Sequence, residues 1–162
     1  MNLSHYFDIL REAQAHKATL VVVTKNQKLD DILSLYDAGH RIFGENRVQQ
    51  LIEKKEQLPA DIQWHMIGSL QKNKVKYLAP WISMIHSVDS FGLAETINRE
   101  ALKSNRIIPI LLEVKISSEE SKHGFQNDEL MSSLQNDPWN TLTHCALSGL
   151  MGMASFTDNP QQ

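Results

Sequence analysis

A lysine that directly follows an apolar segment is the residue of this chain with the clearest potential for chemistry. Lys25 comes after the run 20–24, which has the composition of a buried strand, and before the polar residues 26–28. In α/β barrels the C-terminal strand ends face the mouth, and an amine held beside an apolar strand can be partly desolvated, which favours its neutral, nucleophilic form. Lys25 could therefore form a Schiff base with an aldehyde. A solvated lysine that merely ends a strand is the more common pattern, and that interpretation stays open.

Polar side chains also occur at the next two predicted strands. Phe43 and Gly44 are followed by Glu45 and Asn46, where Gly44 permits a tight turn and Asn46 offers an amide donor and an acceptor. A plain turn with a helix cap explains the same residues equally well. His65 lies within the third predicted strand and could hydrogen-bond a ligand or a loop, although a histidine inside an apolar strand is more often structural.

Several familiar chemical motifs are absent from the sequence. It has no G-x-x-x-x-G-K, G-x-G-x-x-G or G-x-S-x-G segment, which removes the usual support for nucleotide hydrolysis, dinucleotide binding and serine hydrolase chemistry. Its seven histidines form no H-E-x-x-H motif and its single cysteine forms no C-x-x-C pair, so no metal site is predicted. The charged residues 119–122 could line a pocket entrance, but such a cluster is usually a solvated loop.

The elements that must position these residues alternate between helix and strand. Apolar residues at helical spacing predict six helices, over residues 3–13, 29–36, 48–52, 73–78, 93–102 and 130–134. Apolar runs predict six strands, over residues 18–24, 41–43, 62–67, 83–88, 107–116 and 146–151. Gly39 and Pro59 are stop signals for the second and third helices. Such alternation predicts an α/β fold with a parallel sheet, either open and doubly wound or part of a barrel.

The composition is that of an ordinary globular protein with one domain, since 41% of the 162 residues are hydrophobic and 22% are charged. A formal net charge of −3 provides no basic surface, so neither nucleic acid nor a membrane is expected as a partner. The single cysteine, Cys145, excludes an intrachain disulfide and is compatible with a reducing compartment. The chain starts without a secretory signal and has no membrane-length apolar run, so a cytoplasmic location is predicted.

Six segments, taken together and in order, resemble one family. They are residues 21–25 (VVVTK), 43–49 (FGENRVQ), 64–74 (WHMIGSLQKNK), 85–90 (IHSVDS), 119–124 (EESKHG) and 149–153 (GLMGM). This pattern resembles the pyridoxal phosphate homeostasis proteins of the YggS/PROSC type, which are related to the barrel domain of alanine racemase. The resemblance spans nearly the whole chain and implies a TIM-like (β/α) barrel of the alanine racemase N-terminal type, with about six strand-helix units in residues 1–162.

The resemblance implies a carrier or regulator of pyridoxal 5′-phosphate (PLP) in intracellular vitamin B6 homeostasis. It implies that Lys25 holds PLP as a Schiff base and that Asn46 lies beside the cofactor. The residues that it suggests as lesser candidates for lining the ring pocket are Val23, His65 and Met151. It also draws attention to Lys122, a loop lysine with a possible part in cofactor handling. PLP and PLP-dependent apoenzymes are the partners that such a role implies.

This sequence departs from the family pattern at its C-terminal side. Family members usually continue for two further strand-helix units that hold the phosphate of PLP, and the sequence resembles only the first three quarters of an eight-fold barrel. We therefore expect a single domain, incomplete by two units, with weaker and less selective PLP binding. We also expect exposed barrel edges that favour self-association. A shortened chain, a barrel completed by another chain and an open compact form are the alternatives.

Two other functions stay open at this point. A PLP-dependent racemase-like enzyme is the first, but such an enzyme needs a second positioned acid or base opposite the lysine, and no residue occupies that role convincingly. The second is a fragment that binds no PLP and acts only through protein contacts. A non-catalytic PLP-binding protein is the prediction.

Overall fold

The architecture is a six-stranded parallel sheet with helices between successive strands, seen in a computed structural model that describes residues 3–116 and 124–154. The strands are β1 (Val22–Val23), β2 (Ile42–Glu45), β3 (Gln63–Met66), β4 (Met84–Val88), β5 (Ile108–Val114) and β6 (Cys145–Gly152). The helices are α1 (Leu3–Ala15), α2 (Leu29–Asp37), α3 (Val48–Gln57), α4 (Val75–Leu78), α5 (Phe91–Lys103) and α6 (Asn127–Asn136). The strand order in the sheet is the order along the chain, as in a (β/α) barrel.

One face of the sheet, here called the core face, carries the hydrophobic core. Phe43 pairs with Trp64 between β2 and β3, and Ile85 pairs with Ile110 between β4 and β5. These four side chains are almost completely buried and pack in one cluster with apolar residues of the helices, such as Leu51 of α3. Because side chains alternate along a strand, Gly44 and His65 lie on the opposite face, here called the inner face.

Helix α2 ends at the glycine that the sequence marks as a stop signal. Gly39 has a φ of 96°, in the region that L side chains rarely adopt. Its N–H donates to the carbonyl of Tyr36 at 2.9 Å, and the next N–H, of His40, donates to Leu35 at 3.0 Å. These two bonds satisfy carbonyls in the last turn of the helix and direct the chain into β2.

The predicted α/β fold and its alternation of elements are confirmed, but two strand boundaries are wrong in ways that matter for the site. Only Val22 and Val23 of the predicted strand 18–24 form β1, because only they pair with Phe43 and Gly44 of β2. The second strand was predicted to end at residue 43, yet β2 continues to Glu45, which pairs with Met66. The boundary shift places Glu45 inside the sheet instead of in a solvated turn.

The fourth helical segment is divided into two short pieces. A 3-10 turn, Lys72–Lys74, leads directly into α4, so the helix predicted over residues 73–78 is confirmed with a tighter first turn. None of the helices within residues 3–116 and 124–154 combines the length and the apolar character needed to cross a membrane.

Candidate cofactor site at the carboxyl edge of the sheet

Lys25 lies just beyond the carboxyl end of β1, in a turn that it forms with Asn26. Asn26 has a φ of 60°, a left-handed conformation that asparagine tolerates, so the chain turns immediately after the lysine. This position agrees with the prediction from the sequence. The side chain of Lys25 is exposed, however, and the partial desolvation expected from the apolar run is not found.

Thr24, the residue before the lysine, is buried and held by several hydrogen bonds. Its N–H donates to the carbonyl of Gly44 at 2.8 Å, and its hydroxyl lies within bonding distance of that carbonyl at 3.1 Å. The same hydroxyl donates to Oε2 of Glu45 at 2.9 Å, and the Thr24 carbonyl accepts from Nζ of Lys54 at 2.7 Å. The backbone that carries Lys25 is therefore tied both to β2 and to α3.

A buried ion pair lies beneath this strand end. Nζ of Lys54 is 2.5 Å from Oε2 of Glu45, and both side chains are almost entirely removed from solvent. Oε1 of the same carboxylate accepts the backbone N–H of Asn46 at 2.7 Å. Burial would by itself raise the pKa of Glu45, but hydrogen bonds from its three donors and the charge of Lys54 outweigh that effect and hold the pKa below its usual value.

Asn46 comes next to this carboxylate, at the carboxyl end of β2. Gly68, after β3, approaches it so closely that a Cβ on the glycine would lie 2.4 Å from the Asn46 carbonyl oxygen. The hydroxyl of Ser87 donates to the carbonyl of Gly68 at 2.5 Å and fixes this approach from β4. Within the part of the chain that the structure describes, the buried side-chain oxygen of Asn46 has no hydrogen-bond partner. An unsatisfied buried acceptor of this kind is able to receive a ligand's donor.

A cleft of about 640 Å³ opens beside Asn46, between the start of α3 and the segment that leads into α4. Its lining includes Arg47, Ser69, Gln71 and Lys74. Its volume is within the range of small-molecule sites. Lys25 is not among the residues that line this cleft.

Two histidines meet on the inner face of neighbouring strands. Nδ1 of His65 in β3 lies 2.9 Å from Nε2 of His86 in β4, which is hydrogen-bond distance between one protonated and one bare ring nitrogen. Burial, and then the charge of His86, lowers the pKa of His65 from 6.5 to about 4. Burial also lowers the pKa of His86. Both rings therefore stay neutral at pH 7.

The lesser candidates also lie on the inner face. Val23, Gly44 and His65 stand in register across β1, β2 and β3, and Val23 is 43% exposed. Met151 pairs with Glu113 and is half-buried on the same face at β6. The structure thus places Val23, His65 and Met151 on one surface, with Lys25 and Asn46 at its carboxyl edge. Lys122 lies outside the described residues.

The sequence interpretation missed the buried ion pair and the histidine pair. The sequence pattern assigns Glu45 to a turn, and charged helix residues such as Lys54 usually face solvent. A signal was present, since Lys54 follows Leu51 by three residues and therefore shares its buried helix side. The partner of His65 was not identifiable, because pairing across strands depends on register. Among the described residues, no group of three or more His, Cys, Asp or Glu side chains could hold a metal ion.

Comparison with known sequences gives a consistent result. The model of the "Alanine racemase, N-terminal domain" family matches residues 1–162. The pyridoxal phosphate homeostasis protein of Aquifex aeolicus is 36% identical over 89% of this chain and 63% of its own length. That of Haemophilus influenzae is 30% identical over 98% of this chain and 72% of its own length. The chain thus spans between about three fifths and three quarters of these two relatives.

Solved structures show the same relationship. PipY of Synechococcus elongatus PCC7942, solved with PLP bound, superposes with a TM-score of 0.77 at 36% identity, over 86% of this chain and 64% of PipY. Alanine racemase from Bartonella henselae, with covalently bound pyridoxal phosphate, superposes with a TM-score of 0.61 at 16% identity, over 82% of this chain and 37% of the racemase. The second comparison supports the fold alone.

The parallel sheet and its strand order, together with these matches, define a barrel domain of the alanine racemase type. The chain belongs to the alanine racemase N-terminal domain family and, within it, to the pyridoxal phosphate homeostasis proteins.

Proposed function

We propose that this chain binds PLP covalently and reversibly on Lys25 and acts as a PLP carrier or regulator in vitamin B6 homeostasis. The observation that carries the proposal is the position of Lys25, exposed at the carboxyl end of β1, in a chain 36% identical to a PipY structure with PLP bound. PLP would supply an aldehyde that a lysine amine is able to capture.

The residues at this edge fit such a group. The exposed amine of Lys25 is accessible to an aldehyde, and the side-chain oxygen of Asn46, which has no hydrogen-bond partner among the described residues, offers an acceptor at the end of the neighbouring strand. The exposed Val23 and the half-buried Met151 provide apolar surface for a ring on the inner face. Bound there, PLP would supply an aldehyde with which Nζ of Lys25 could condense reversibly, a C=N bond replacing the C=O bond with release of one water molecule.

A non-catalytic role is part of the proposal. Racemisation on PLP requires a second acid or base positioned opposite the lysine. The inner face contains His65, but its ring is engaged with His86, and a pKa of about 4 makes it a weak base with almost no imidazolium form to act as an acid at pH 7. An assay for D-alanine formation with added PLP tests this part, and substantial turnover would favour the racemase-like alternative.

The wider role rests on the same family membership. We infer that PLP-dependent apoenzymes receive the cofactor, that residues 1–162 form one PLP-binding domain, and that the outer strands of the sheet favour self-association. The single Cys145 supports a reducing, cytoplasmic setting.

The test is a PLP titration of the purified chain, followed by its visible absorption and by borohydride reduction with mass mapping of the modified lysine. We expect saturable absorption and a label on Lys25, both lost in Lys25→Ala. Lys28→Ala is the matched control, because it removes another exposed lysine from the same loop and should leave both signals intact.

The outcomes separate three functions. A label on Lys25 without turnover supports the carrier. A label spread over many surface lysines, unchanged in Lys25→Ala, contradicts a specific site and favours a chain that acts only through protein contacts.

A further inference from the structure

We propose that Glu45 and Lys54 form a positioning pair that sets the distance between Lys25 and Asn46 for PLP capture. The inference rests on the proposed function, since it assigns residues that hold the PLP-binding groups in place. Neither residue is proposed to touch the cofactor.

One carboxylate, that of Glu45, reaches both sides of the site. Oε2 of Glu45 accepts the Thr24 hydroxyl at 2.9 Å, and Thr24 is the residue directly before Lys25. Oε1 accepts the backbone N–H of Asn46 at 2.7 Å. A rigid carboxylate group therefore joins β1 to β2 at the level of the two candidate PLP-binding residues. A displacement of Glu45 would move Lys25 and Asn46 relative to each other.

Lys54 binds two different groups at this strand end. Its Nζ donates to Oε2 of Glu45 at 2.5 Å and to the carbonyl of Thr24 at 2.7 Å. The ammonium thus binds both the carboxylate and the peptide group that precedes Lys25. Through this side chain α3 fixes the end of β1, which is only two residues long and pairs with β2 through Val22 and Val23. Such a short strand forms few backbone hydrogen bonds with its neighbour, and these hold the end of the strand only weakly.

A buried ion pair contributes little net stability compared with apolar residues of similar size, because both charges lose their hydration. Glu45 and Lys54 are nonetheless both buried here, and their described side-chain hydrogen bonds are directed at Thr24, Asn46 or each other. The geometry at the strand ends therefore explains the buried pair better than a gain in stability does.

The experiment separates positioning from stability with three variants, Glu45→Gln, Lys54→Met and the double variant. Each single variant leaves one buried charge without its partner, so both should unfold at lower denaturant concentration than the wild type. The double variant removes both charges and should recover most of that stability. It should still bind PLP at least about tenfold more weakly, because the carbonyl of Thr24 has lost its donor and Lys25 is no longer held.

Two further measurements make the result specific. Amide hydrogen exchange without PLP should be faster at Thr24 and Asn46 in the double variant, which reports positioning independently of the cofactor. Tyr6→Phe is the matched control, since it removes a buried hydrogen bond, Tyr6 Oη to His40 Nδ1 at 3.2 Å, near the amino end of β2. It should lower stability while leaving PLP affinity and the visible spectrum unchanged.

The outcomes are distinguishable. Wild-type PLP affinity and unchanged exchange in the double variant overturn the positioning role and leave the proposed function intact. Equal loss of affinity in Tyr6→Phe also overturns it, because general destabilisation would then explain the effect. A wild-type chain that forms no specific bond with PLP overturns both the proposed function and this inference.

Discussion

At the scale of single residues, His65 gives the inner face a direct dependence on pH. Its ring is buried against His86 and its pKa is lowered to about 4 by burial, whereas the unfolded chain has the ordinary value of 6.5. Between these two values the unfolded chain takes up a proton that the folded chain does not, so acid favours unfolding.

We therefore expect stability to fall as the pH decreases from 6.5 towards 4, with a contribution from His65 on the order of 3 kcal/mol. His65→Gln should be less stable at pH 7 but should show a flatter pH profile over this window. Urea denaturation at a series of pH values measures both effects. His16→Gln, which removes an exposed histidine, should retain the slope of the wild type. An equally steep profile in His65→Gln would exclude His65 as the source.

Cys145 should be a poor nucleophile in the folded protein. Burial raises the pKa of its thiol to about 12, and Sγ lies 3.5 Å from the carbonyl of Ala94, towards which its proton points. We expect native protein at pH 8 to react with iodoacetamide at least about tenfold more slowly than protein unfolded in urea, since the reactive species is the thiolate. Intact-mass analysis over time makes the comparison. Equal rates in the two states would show that the thiol is accessible and ionised.

The residue-scale features differ in how far the sequence predicts them. Lys25 and Asn46 could be identified because polar residues after apolar runs mark strand ends, and the family motifs contain them. The pairing of Glu45 with Lys54 could not, although the spacing from Leu51 places Lys54 on the buried side of its helix, because a charged side chain is normally expected in solvent and the partners of Lys54 are 9 and 30 residues away along the chain. Their roles follow from contacts that only the folded chain brings together.

At the scale of elements, the approach of β3 to β2 depends on one glycine. Gly68→Ala would place a methyl group 2.4 Å from the Asn46 carbonyl oxygen and 2.8 Å from its Cα, both backbone atoms that cannot rotate away. We expect the free energy of unfolding to fall by about 3 kcal/mol and PLP capture to weaken, because Asn46 must move. Chemical denaturation and the PLP titration measure the two effects.

Gly92→Ala provides the contrast within the same chain. A Cβ at Gly92 would meet only the end of the Lys72 side chain, which is flexible and able to move. Alanine is also the better helix former within α5, so stability should stay equal or rise by up to about 1 kcal/mol. Similar losses in both glycine variants would argue against the specific clash at Asn46.

Element types could be predicted, whereas the ends of the elements could not. Periodicity identified α5 and β4 because each shows a clear apolar pattern over its full length. The predicted strand 18–24 is apolar throughout, but a strand exists only where a neighbour supplies hydrogen bonds, and β2 does so for Val22 and Val23 alone. Register between strands is a tertiary property, so the sequence could not define it.

At the scale of the whole molecule, the chain order of the strands explains how distant residues share one edge. Each parallel connection returns the chain to the same end of the sheet, so the residues that follow β1, β2 and β3 meet at the carboxyl edge. The alternation of strand and helix predicted this arrangement but did not distinguish an open sheet from part of a barrel. Structural similarity to PipY, with a TM-score of 0.77, supports the barrel type.

The strand β6 lies at one edge of the sheet. Across residues 3–116 and 124–154, β6 pairs with β5 alone, and its Leu147 and Leu150 side chains are 48% and 62% exposed. An eight-residue outer strand with exposed leucines is a template for pairing with another chain. We expect the chain to self-associate as its concentration rises, and Leu147→Glu to shift it towards monomer. Leu102→Glu is the matched control, because Leu102 is similarly exposed but lies on α5. Sedimentation velocity over a concentration series distinguishes the variants, and an equal effect of both would assign association to general surface hydrophobicity instead of the strand edge.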